Sequence, residues 1–99
     1  MSVPLYSYVL LYSDAFGTDE EVRDLLDTHP NVYNWFVCLP HAIFFVSDLT
    51  AGQASENFRV LRAPRKGHFL ILDTKTDRNG WLPRKAWDFM RKPRAPGAD

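Results

Sequence analysis

Apolar runs and the polar breaks between them divide this chain into seven segments. Leu5-Tyr-Ser-Tyr-Val-Leu-Leu-Tyr12 is aromatic and branched, the pattern of a central strand covered on both faces. Ser13-Asp14-Ala-Phe-Gly17 interrupts it with loop residues. Thr18-Asp-Glu-Glu21 then spells a capping box, in which the Thr18 hydroxyl accepts from the third helical amide and Glu21 reaches back to the cap amide. Asp19, Glu20 and Glu21 also sit at the positive end of the helix dipole. Val22, Leu25 and Leu26 follow at helical spacing, and Pro30 forces the residue before it out of helical geometry. The pattern predicts a helix over 18–28.

The apolar runs 32–39 and 42–46 are separated only by Pro40-His41, which predicts an antiparallel hairpin. Thr50 and Gln53 form a second capping box, opening a helix over 50–62 with Ala54, Phe58 and Leu61 inward. Pro64-Arg65-Lys66-Gly67 is a basic loop, residues 68–74 read as a fourth strand, and Asp77-Arg-Asn-Gly80 has turn chemistry. Trp81 to Met90 reads as a short helix with Pro83 in its first turn and with Trp81, Trp87 and Met90 inward. The order strand, helix, strand, strand, helix, strand is that of two split βαβ units. The predicted fold is therefore α+β: a ferredoxin-like βαββαβ sandwich, a four-stranded antiparallel sheet with two helices on one face, plus a short C-terminal helix. Residues 1–91 form a single domain on this reading, and 92–99 form a mobile basic, proline-containing tail.

Composition narrows the class. Ninety-nine residues, 45% hydrophobic and 14% aromatic, suffice for a core without staples. The one cysteine, Cys38, excludes an internal disulfide framework and points to a reducing, cytoplasmic compartment. Neither a signal peptide nor an apolar run of membrane-spanning length is readable, so no membrane partner is expected. Charge changes the picture more. Residues 1–58 carry Arg23 against eight acidic residues, a net of −7, whereas residues 59–99 carry eleven basic against four acidic, a net of +7. Such a split predicts either a phosphate-binding surface or an acidic complement on another copy. Arg59 and Arg62 lie three apart on the second predicted helix, Arg65 and Lys66 follow in the loop, and Arg78, Arg84 and Lys85 surround the last turn and helix. These seven are the candidate nucleic-acid contacts. His29, His41 and His68 share no metal-ligand spacing and read as turn and strand-edge residues, and Cys38 as a packed or edge thiol.

Leu39-Pro-His-Ala-Ile-Phe-Phe-Val-Ser-Asp-Leu-Thr-Ala51, with Trp35 before it and Gln53 after, resembles a run in short bacterial proteins labelled SinR-like. Gly80-Trp81-Leu-Pro, followed by Ala86-Trp87 and Phe89, is similar to their endings, and the likeness extends over about residues 6–90. That group looks akin to the small CRISPR spacer-acquisition protein and to VapD ribonucleases, ferredoxin-like dimers that handle nucleic acid. In the CRISPR protein an acid after the first strand's tyrosine meets its twofold mate across a magnesium ion. Here Ser13 occupies that position and Asp14 follows one residue later, so the resemblance makes Asp14 the catalytic and metal-ligand candidate. Aromatics on both sides of the first strand imply a second covered face, hence a homodimer. The function expected is a small homodimer that binds RNA or DNA through its basic C-terminal half, without robust catalysis or a cofactor. The alternatives are a magnesium-dependent endoribonuclease and a regulatory, antitoxin-like protein-interaction module.

Overall fold

A computed structural model describes residues 4–61, 67–75 and 80–91. The elements are β1 (Tyr6–Tyr12), α1 (Asp19–Thr28), β2 (Val32–Leu39), β3 (Ala42–Ser47), α2 (Ala51–Leu61), β4 (Phe69–Asp73) and α3 (Arg84–Arg91). The strands form one antiparallel sheet in the order β2-β3-β1-β4, with β1 at its interior. The chain is thus α+β.

Local chemistry explains where the helices begin. The Glu21 amide donates to Thr18 Oγ1 at 3.1 Å and the Thr18 amide to Glu21 Oε1 at 2.9 Å. Thr50 and Gln53 repeat the exchange at 3.2 and 3.0 Å ahead of α2. Both predicted capping boxes are present, and each satisfies two amides that have no intrahelical partner.

Strand register assigns the two sheet faces. Tyr8 pairs with Phe45 and Leu10 with Ile43, and these residues face α1 and α2. There Val22, Leu26, Ala54 and Phe58 close the main core, with Phe58 edge-on to Phe45 at 5.6 Å. The alternate residues of β1 face the other way: Ser7 pairs with Val46, Val9 with Phe44 and Leu72, and Leu11 with Ala42 and Leu70. α3 lies on this second face. Ser7, fully buried, donates its hydroxyl to the Met90 carbonyl at 3.2 Å and meets the Thr74 hydroxyl, while Phe36 stacks on Phe89 at 5.9 Å.

Two expectations change at the C-terminal helix. Trp81 is not inward but 99% exposed, because α3 begins three residues later than the pattern indicates. Pro83 precedes the helix instead of entering it, and its carbonyl accepts the Ala86 amide at 2.9 Å. Ala86 and Met90 supply the buried side, with Trp87 half-buried. The turn expected at 77–80 and the tail at 92–99 lie largely outside the described residues.

Gly67 (φ 105°) sits so close to the loop after β1 that an added Cβ would stand 2.3 Å from the Phe16 nitrogen and 2.7 Å from the Ala15 carbonyl carbon. Gly52, in the first turn of α2, has open space at the same position. Gly67→Ala is therefore predicted to cost more than about 1 kcal/mol, whereas Gly52→Ala stabilises by about 0.5 kcal/mol. Urea unfolding of the two variants beside the parent checks both signs.

Candidate functional site

Two features stand out, and both lie toward the end of the sheet where β1 finishes. The first is a polar cluster. The β2–β3 hairpin turns through Pro40-His41, and His41 takes a left-handed backbone (φ 57°) that any side chain except glycine's adopts at some cost. That turn aims its imidazole at the loop after β1, where His41 Nε2 stands 3.1 Å from Asp14 Oδ1. The His41 ring also meets Tyr12 edge-on at 5.5 Å, and its carbonyl accepts the Tyr12 amide at 3.2 Å. Tyr12 in turn donates its hydroxyl to Asp19 Oδ1 at 2.5 Å, tying strand end to helix start.

Electrostatics follow this geometry. The Tyr12 hydrogen bond holds the Asp19 carboxyl below its ordinary range, with the His41 and Arg23 charges acting in the same sense. Burial, then the Asp19 hydrogen bond, push the Tyr12 phenol above its ordinary range. Asp14 is almost wholly solvent-exposed. Asp14 and His41 offer one carboxylate and one imidazole, a donor pair that does not fit the all-oxygen shell magnesium prefers. Among the described residues no group of three His, Cys, Asp or Glu side chains is placed to hold a metal. What the cluster does is tie the end of β1, the start of α1, the hairpin turn and the loop after β1 together.

The second feature is apolar. On the second face α3 covers the end bearing Ser7 and Phe36, and the other end is open. Leu39, Ala42, Leu11 and Leu70 form a row across all four strands, with Val9 and Leu72 in the next row. Leu11, Leu39, Leu70 and Leu72 are 38%, 43%, 52% and 45% exposed; Leu11 pairs with Leu70, and the buried Ala42 separates Leu11 from Leu39.

Three of the seven candidate basic residues, Arg59, Arg84 and Lys85, are among the described residues, and these three do not share one face of the sheet. Arg59, on α2, forms an ion pair with Glu56 at 2.6 Å, and Arg84 and Lys85 open α3 on the opposite layer of the sheet. Arg62, Arg65, Lys66 and Arg78 lie outside the described residues. His29 is buried against Phe58, accepts the Asn31 amide on Nδ1 at 3.0 Å, and has its pKa lowered by that burial, so it is structural. His68 ties its amide to Ser13 Oγ at 3.0 Å, and the half-buried Cys38 thiol is pushed up by burial. Two things escaped the sequence reading: the His41–Asp14 pair and the open leucine face. The two-residue hairpin linker was a signal for the first, and the leucines at alternate positions of β4 were a signal for the second.

The chain matches no protein-family model, and no curated protein or solved structure matches it.

The Tyr12–Asp19 bond makes acid behaviour testable. A folded-state pKa held down means that Asp19 contributes stability above its unfolded value, and that this is lost as pH falls through the folded value. Tyr12→Phe is predicted to move the Asp19 titration up toward the ordinary carboxylate range, read by carboxyl-carbon NMR against pH. The raised Tyr12 phenol has the opposite sense: stability present below about pH 10 declines as pH rises further.

Proposed function

We propose that this chain is a ferredoxin-like interaction module that acts as a homodimer through the open leucine half of its sheet. The observation carrying this reading is the set of four half-exposed leucines, with Leu11 paired to Leu70, on a face that α3 covers only in part. Contiguous apolar surface on a soluble protein marks a contact site. With a formal net charge of zero, copies of the chain have no net repulsion to keep them apart. The ferredoxin-like assignment is supported by the sheet order β2-β3-β1-β4 with one helix after β1 and another after β3. The SinR-like resemblance of 39–53 and 80–89 points the same way, because the kin it implies are dimers. Location in the cytoplasm goes with a lone thiol that burial keeps protonated.

A second reading, RNA or DNA binding by the basic half, is favoured by the charge split of −7 and +7. It ranks below the first because Arg59 is already paired and lies across the sheet from Arg84 and Lys85.

The two readings separate in solution. Sedimentation equilibrium from about 1 to about 200 micromolar is expected to show a mass rising toward twice the 11.4 kDa chain, as suits a weak specific interface. A constant 11.4 kDa across that range removes the dimer. For the second reading, binding to a labelled RNA or DNA oligonucleotide is expected to fall steeply as salt rises and to weaken uniformly when Arg59, Arg62 and Arg65 become Gln. No binding at low salt removes it.

A further inference from the structure

Trp81 is the most exposed large apolar side chain among the described residues, at 99%. It stands three residues before α3, hence within about 10 Å of that helix's first residue. α3 lies on the face that carries the open leucines, and both Trp81 and those leucines are exposed. We infer that Trp81 of each copy docks on the Leu11, Leu39, Leu70 and Leu72 surface of the other. The inference rests on the dimer reading and specifies its anchor.

Shape argues for an indole and against the other available occupants. A helix lying on a sheet stands about 10 Å proud of it, so two such faces cannot meet flat against each other. A side chain that projects can reach into the step beside α3. The outward side of α3 is a poor occupant, because it carries Arg84, Asp88 and Arg91, with Asp88 and Arg91 paired to each other. Tryptophan, in contrast, is the residue type that most often anchors an interface.

Symmetry and area agree. The indole and the leucines are different surfaces of one chain, so a twofold pairing exchanges both contacts at once and closes, whereas a single contact would propagate. The open half of the face spans about 270 Å² by strand spacing and rise, and an indole adds about 250 Å². Counting both copies, the interface comes to at most about 1,000 Å², the lower limit for a specific contact. The dimer is therefore weak and depends on concentration.

The experiment compares three proteins by sedimentation equilibrium: wild type, Trp81→Ala, and the double variant Leu70→Asp, Leu72→Asp. Trp81→Ala is expected to weaken dimerisation at least tenfold, and at 99% exposure the change leaves the fold intact. The double variant should be equally weak alone. Mixed together, the two variants should associate more strongly than either does alone, since one intact indole-to-leucine contact forms in the mixed pair. If Trp81→Ala dimerises like wild type while the leucine variant is monomeric, the anchor is wrong and the dimer stands. If wild type is a monomer throughout, both fall.

Discussion

Because β1 lies between β3 and β4, it has no edge, and its side chains alternate between two faces that each need cover. Tyr8, Leu10 and Tyr12 are covered by α1 and α2 through a continuous aromatic and aliphatic core. Ser7, Val9 and Leu11 depend on whatever reaches the second face. Among the described residues only the Ser7 end is closed, by a knot of hydroxyls and a helix carbonyl that fixes α3 in place. Burying a serine is tolerable there because its hydroxyl is satisfied. A partly covered sheet follows from this arrangement: one eight-residue helix shelters one end and leaves leucine at the other.

Among the described residues, both layers on the sheet carry charge of both signs. α1 carries five of the acids and packs on the same side of the sheet as α2, whose Arg59 answers Glu56. On the far side Arg91 answers Asp88 within α3. Exposed pairs of this kind stabilise little, but they take charge away from any single basic surface. The polar cluster at the end of β1 works differently, since Tyr12, Asp19, His41 and Asp14 link a strand, a helix, a hairpin and a loop.

Local signals were the legible ones. Thr18 with Glu21, Thr50 with Gln53, and the short Pro40-His41 linker each act through neighbours a few residues away, and each predicts the observed element within a residue or two. Trp81 was misplaced because an apolar residue at helical spacing looks inward unless one knows that the helix starts only at Arg84. The Asp14–His41 pair joins residues 27 positions apart, and only the curl of the hairpin over the loop brings them together. The separation of Arg59 from Arg84 and Lys85, likewise, depends on which side of the sheet each helix takes, and helical periodicity carries no information about that.

β2 places eight residues against six of β3, with register shifts between Val32 and Asn34 and between Phe36 and Leu39. Bulges of this kind bend and twist a strand and break the even row of amides and carbonyls along its free rim. β4, the opposite rim, pairs with β1 without a shift and is five residues long. The two rims are thus unequal as templates for strand addition. A stray chain finds a regular ladder on the β4 side alone, and two copies that met there would leave only bulged rims outside. An edge irregularity that looks like a defect thus makes the β2 rim the poorer template for accidental sheet growth.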